Sequence, residues 1–343
     1  MRWVSRVLNC HPGPICSVIL LGLALAMWAV HDYIEHTVRP RQQAARQARI
    51  SVASSRAEAQ YKKGKFDRAL EEYRYILQAF DAHLRPHVKG RLQSQIGLCY
   101  IGLADKSQPV EHLTQAIDAF AVAFAFLPVD AHAMDHARAQ IGLGDTHVAL
   151  TRVEGKPEHM DRAIQAYQTA LDIQREASNP AEHASTLNRL GNVYRDHSKA
   201  NRSARSIDRA LAFYQQALEV LADQPYPREM GQTHLEMGQA YIALAKKGTP
   251  NRWLNHAIEQ FQAALAVLTA DAHPQAYGIA HRYLGDSYTM FAEIKPRPGA
   301  PRSSYIQRAM SYRNKAKAAY RIAENFGLRR PPVTHPRQQA AHK

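Results

Sequence analysis

Histidine is the most frequent of the residues able to hold a metal or move a proton near neutral pH without help: eighteen stand in 343 residues, against three cysteines. His132 and His136 are four apart, which on a helix sets both rings on one face, where they can hold zinc once a third ligand joins. Asp135 is adjacent, but no second cluster completes such a site. The others recur rather than converge: His112 and His159, His136 and His183, and His234 and His281 are each separated by 47 residues. They read as copies of one position, solvated or packed, so no metal and no cofactor is expected. Asp-Ala-His also recurs, at Asp81–His83, Asp130–His132 and Asp271–His273, where the carboxylate is expected to cap a following helix. The chain has no phosphate-cradling P-loop, no G-x-S-x-G elbow and no H-E-x-x-H pair. No catalytic residue is therefore assigned, and an enzyme is not expected. Cys99 stands alone between apolar neighbours and reads as a small buried residue, while Cys10 and Cys16 form neither a disulfide framework nor a metal knuckle.

The period of 47 organises the chain. Gly97, Gly144, Gly191, Gly238 and Gly285 each follow the last by that interval, each with a large apolar residue before it and a ring three later (Tyr100, His147, Tyr194, Tyr241, Tyr288). A second comb runs through Ala69, Ala116, Ala163, Ala210 and Ala257, with an aromatic four residues on. A fixed period of this size marks a repeat protein. The first comb lets a neighbouring helix come close at glycine, and the second writes one apolar stripe at helical spacing. Neither helix buries its stripe alone, so successive pairs must stack. First helices are expected over about 45–62, 86–104, 132–151, 181–198, 227–246 and 275–293. Second helices are expected over about 66–80, 111–127, 158–175, 205–222, 252–269 and 304–324. Prolines 86, 128, 180, 227 and 274 punctuate the turns between pairs.

At these residues the chain resembles the tetratricopeptide-repeat family: L-G-x-x-Y in a first helix, then A-x-x-x-(F/Y)-x-x-A in a second. The match is nearest at AEAQYKKGKFDRALEEYRYIL, and later copies carry seven extra residues between glycine and alanine. The resemblance implies an all-α, right-handed superhelical solenoid of about six helix-turn-helix pairs. It also implies a concave wall lined by first-helix residues around each repeat glycine. Carried onto this sequence, the wall comprises Ser94, Asp145, Asn188, Asn192, Gln239 and Asp286, with Arg282 and the aliphatic Leu98, Ile141 and Leu235. Arg91, Arg138, Ser185, Gln232, Arg195 and Thr289 flank them. Asn188, Asn192 and Arg195 stand at i, i+4 and i+7, offering amides and a guanidinium to a peptide backbone or carboxylate. The trio is expected to be free of structural duty.

The two ends differ from the array. Residues Ile15–Val30 form an uncharged apolar run, after Arg2 and Arg6 and before Asp32 and Glu35. The expectation is a membrane anchor or signal segment over 1–36, a repeat solenoid over 37–326 and a disordered basic tail over 327–343; Ala24-Leu25-Ala26 would suit signal cleavage, and the run's continuation to Val30 favours an uncleaved single-pass anchor. The short basic terminus favours a periplasmic or otherwise extracytoplasmic solenoid, and Arg39, Arg41, Arg46 and Arg49 keep the cytoplasmic side open. Of the net charge of +14, about +11 sits from Lys295 onward, where Glu324 is the single acid. Composition alone thus excludes the array as a general nucleic-acid binder. Arg308, Arg313, Lys315, Lys317 and Arg321 make a basic patch on the final helix, which serves as a solubilising cap or meets an acidic partner. The expected function is a membrane-tethered, non-catalytic scaffold whose groove binds a peptide or protein segment. The alternative is polyanion binding (anionic lipid, nucleic acid or acidic polymer) through the basic end.

Overall fold

The computed structural model describes residues 14–175, 179–201, 204–223, 225–248, 250–294 and 302–328, and among them every regular element is helical. The chain divides into two compact units, one up to Leu84 and one from Arg85.

In the first unit, α1 (Pro14–Tyr33) passes through a π-helical turn, Ile34–Val38, into α2 (Arg39–Lys62) without a break. The cause is Pro40, which lacks an N–H and whose ring collides with the carbonyl four residues back in a regular α-helix. Widening the preceding turn relieves that clash, and Arg39 donates its N–H to the Ile34 carbonyl, five residues back. Gly64, at φ +68°, then turns the chain into α3 (Phe66–Phe80), and Ala57, Ala69, Leu70, Tyr73 and Ile76 close the pair. Among the described residues no helix is long and apolar enough to cross a membrane. This overturns the single-pass anchor and the localisation built on it. The apolar run Ile15–Val30 has sixteen residues, short of the ~20 that span a bilayer, and α1 continues straight into His31 and Asp32. Arg2, Arg6 and Cys10 lie outside the described residues, as do Lys295 and the tail from Arg329.

The second unit holds five antiparallel pairs: α4 (Pro86–Ala104) with α5 (Pro109–Phe126), α6 (Val129–Glu154) with α7 (Pro157–Gln174), α8 (Pro180–Asn201) with α9 (Ala204–Val220), α10 (Pro227–Ala245) with α11 (Pro250–Val267), and α12 (Pro274–Glu293) with α13 (Arg302–Asn325). The prolines start helices as much as they stop them. Proline fits the first helical position, where its missing N–H is not needed, and this carries α5 and α11 two residues further back than expected. The Asp-Ala-His carboxylates make no cap: Asp130 lies inside the first turn of α6, and neither α6 nor α12 has a side-chain cap.

Both combs are packing devices. A methyl group placed on Gly97, Gly144, Gly191, Gly238 or Gly285 would lie 2.8, 2.6, 2.5, 2.3 or 2.7 Å from a ring carbon of Phe120, Tyr167, Tyr214, Phe261 or Tyr320. Each repeat glycine is thus the floor on which the partner helix lays its aromatic. A third comb at the same period, Gly90, Ala137, Ala184, Gly231 and Gly278, escapes the sequence reading. At Gly90 and Gly231 the same methyl would lie 2.6 and 2.4 Å from Leu127 and Leu268, which end the second helices.

A polar recess on the first-helix wall

The wall residues are largely committed to one another. Arg91 and Arg138 both bond Asp135, at 2.5 and 3.5 Å, and Arg138 reaches on to Glu182 at 2.7 Å. Asp145 accepts from the Tyr167 hydroxyl at 2.6 Å and from Arg189 at 2.5 Å. Burial, and after it the Asp145 carboxylate, raises the Tyr167 pKa. Asn192 accepts from Tyr214 at 2.7 Å, and Asp286 from Tyr320 at 2.7 Å. Ser94 donates back to the Gly90 carbonyl at 3.1 Å. Arg282 lies over the Tyr283 ring at 5.2 Å, its buried Nε without an acceptor among the described residues.

The Asn188–Asn192–Arg195 trio corrects the sequence reading. Asn188 and Arg195 are 6% and 9% exposed. Arg195 donates to Glu236 at 2.5 Å, and Glu236, itself buried, also accepts from Gln232 at 2.7 Å and Gln239 at 3.3 Å. Burial acts to lower the Arg195 pKa, but attraction to Tyr214, Glu236 and Asp196 holds it above its ordinary value. These residues stitch α8 to α9 and α10, so they carry structure. A helical wheel places them on one face; it does not say that the next helix covers part of that face.

What remains open is a recess of about 1090 Å³ between α8, α10 and the start of α12. Asn188, Asn192 and Gln232 line it with Glu182, Ser185, Arg189, Arg228, Glu229 and Glu236, and Pro274–Ala276 and Ile279 close its far side. Of the expected wall and its flank, only Ser185, Asn188, Asn192 and Gln232 line it; Arg91, Ser94, Arg138, Asp145, Arg195, Gln239, Arg282 and Asp286 do not, nor do Leu98, Ile141, Leu235 and Thr289. Glu182, which does, belongs to no motif in the sequence.

The histidines reach no common point. His132 has non-helical φ/ψ (−139°, 43°) inside α6, which removes the i, i+4 zinc geometry. It packs instead on His87 at 4.8 Å, and His136 meets the Leu127 carbonyl at 2.8 Å. Among the described residues no three potential ligands gather. His147 is the exception in chemistry, being buried with its Nδ1 3.4 Å from the His159 Nδ1. His159 Nε2 stands 2.8 Å from Glu154, a carboxylate, so that nitrogen carries the proton. Burial, then His159 and Arg162, push the His147 pKa down to about 4. Burial pushes the free Cys99 thiol up to about 12, as befits a packed residue. On α13, Arg308, Arg313, Lys315, Lys317 and Arg321 are all exposed, while Ala309, Ala316, Ala319 and Ala323 face inward. Lys315 Nζ sits over Tyr288 and Tyr312 at 5.6 and 5.5 Å.

No protein-family model and no curated protein matches the chain. Solved structures do. A signal-transduction ATPase with a tetratricopeptide repeat sensor from Pyrococcus horikoshii superposes with a TM-score of 0.53 at 14% identity, over 90% of this chain and 44% of that one. BtubC from P. vanneervenii gives 0.47 at 18% identity, over 81% and 96%. PilF of Pseudomonas aeruginosa gives 0.47 at 13%, over 82% and 98%. With its 47-residue glycine comb, its consecutive helix pairs and its superposition on the repeat-bearing signal-transduction ATPase, the chain has a tetratricopeptide-repeat-like solenoid fold.

Proposed function

We propose that the chain is a non-catalytic interaction module that takes an extended peptide segment against α8, α10 and α12. The observation that carries this reading is the recess itself. It is an open polar hollow of about 1090 Å³ between first helices, large enough for several side chains and furnished with amides and carboxylates suited to a peptide. On the basic face of α13, Lys315 already sits on aromatic rings.

The test is selection of a random heptapeptide phage library against the full chain, with recovered peptides measured as free synthetic ligands by fluorescence anisotropy. Ser185 is exposed at the recess, so Ser185→Trp fills it without touching the buried network. Binding to the parent that falls at least tenfold in Ser185→Trp, and survives 0.5 M salt, is the expected result. Binding indifferent to Ser185→Trp, or lost with salt and with Arg313, Lys317 and Arg321 changed to Ala, would instead assign the interaction to the basic helix.

A further inference from the structure

The recess has a chemical polarity. Asn188 Nδ2 lies 2.8 Å from the Thr233 hydroxyl, and that hydroxyl donates its proton to the Glu229 carbonyl at 2.9 Å. Thr233 can therefore only accept from Asn188, which fixes the amide with its NH₂ toward Thr233. Its carbonyl Oδ1 is left buried with no donor among the described residues. One helical stripe away, Glu182 gives Oε1 to Arg138, while its Oε2 is likewise buried and without a donor. Leaving such acceptors unmade is costly, and more so for a charge. Both residues line the recess, as does His273, whose Nδ1 is also buried and without a partner among the described residues; the two oxygens lack an N–H.

The cations nearby do not supply it. Arg189 is spent on Asp145, and Arg228 is exposed at the rim. The repeat accounts for one of these acceptors and not for the other. The positions equivalent to Glu182 are Val88, Asp135, Glu229 and Ala276, and Arg138 with Glu182 repeats the pair of Arg91 with Asp135, so Glu182 is in part structural; the positions equivalent to Asn188 are Ser94, Ile141, Leu235 and Arg282. A structural feature of a solenoid recurs with its period, whereas Asn188 with its bare carbonyl occurs once.

Resting on the reading of the recess as a peptide site, we infer that its ligand is a segment bearing an arginine or lysine, whose cationic N–H groups go to Glu182 Oε2 and whose next N–H goes to Asn188 Oδ1. The two acceptor residues are six apart on α8, about 9 Å along the axis at 1.5 Å per residue. That is too far for one guanidinium to bridge and suits a basic side chain with the adjoining backbone. A carboxylate-bearing ligand is disfavoured, because it brings further acceptors to a wall already short of donors.

The selection described above tests this directly. Peptides that bind at the recess, recognised by their loss in Ser185→Trp, are expected to be enriched in arginine or lysine. Replacing the critical arginine by citrulline, its neutral isostere, is expected to weaken binding about tenfold or more, and so is Glu182→Gln on the protein side. In Glu182→Gln the citrulline swap should then have little further effect. Recess-binding peptides that carry no basic residue, or bind equally with citrulline, overturn the inference while leaving the peptide site standing. Peptides indifferent to Ser185→Trp overturn the peptide site itself. The citrulline arm uses unaltered protein, and unchanged circular dichroism and melting temperature show that Ser185→Trp and Glu182→Gln keep the parent fold.

Discussion

At the scale of single residues, the array can be read from where one repeat departs from its siblings. The ring three after each repeat glycine is Tyr in four copies and His147 in the second. His147 and His159 are stacked at 5.5 Å, in the same relation as Tyr100 with His112, at 6.1 Å, and Tyr241 with Trp253, at 6.0 Å. In His147 the folded pKa, about 4, lies below the ordinary 6.5. The unfolded chain therefore binds the extra proton between those values, so this contribution to stability is whole above about pH 6.5 and is lost as pH falls toward 4. His147→Tyr restores the ring of the other copies and should flatten the pH dependence of the melting temperature between pH 7 and 4.5. An unchanged slope would show that another group titrates. The buried pair Arg195–Glu236 gives a second prediction. Arg195→Ala leaves a buried carboxylate and should cost about 3–5 kcal/mol, whereas Arg195→Met with Glu236→Leu should recover most of that loss in chemical denaturation. Equal losses in both variants would mean that the pair stabilises on its own account.

At the scale of helices, register is set by glycine against ring. The tightest approaches are of ring to backbone, so Gly191→Ala, which sets a methyl 2.5 Å from the Tyr214 ring, should cost about 1–3 kcal/mol through overpacking. A stability unchanged within about 0.5 kcal/mol would show that the helices part freely there. The first comb predicts this contact from sequence, because glycine beside a bulky residue has no other use in a helix interior. One further rule was legible and was passed over. Where the partner ring is Tyr167, Tyr214 or Tyr320, the residue after the glycine is an acceptor, Asp145, Asn192 or Asp286, and each takes the phenol proton. Where the ring is Phe120, that residue is Leu98, and where it is Phe261 it is Gln239, which donates to Glu236 instead. Asp145, Asn192 and Asp286 thus each hold a phenol proton within the array.

At the scale of the whole chain, period fixes helix pairs well and partners poorly. A 47-residue comb constrains every contact that recurs, so the helix bounds fall within a few residues of expectation. The recess arises from contacts that do not recur, such as Asn188 with Thr233, and these depend on which neighbour covers which turn. The expected anchor meets a different limit: the apolar run is sixteen residues long, and α1 continues from it into polar residues. The stacked pairs of the second unit also make a statement about how stability is shared. Each pair packs within itself and against the adjoining pairs, as Leu187, Leu190 and Leu221 do with Tyr167, so the unit should behave as a nearly one-dimensional array rather than as one core. Leu190 is fully buried in α8, and Leu190→Ala should cost about 2–5 kcal/mol as a cavity. In such an array that cost is local. Hydrogen exchange followed by mass spectrometry should show amides of α7 to α10 losing protection most, and those of α4 and α13 least. Equal loss across all ten helices would mean that the unit opens only as a whole, with no weaker place at its centre.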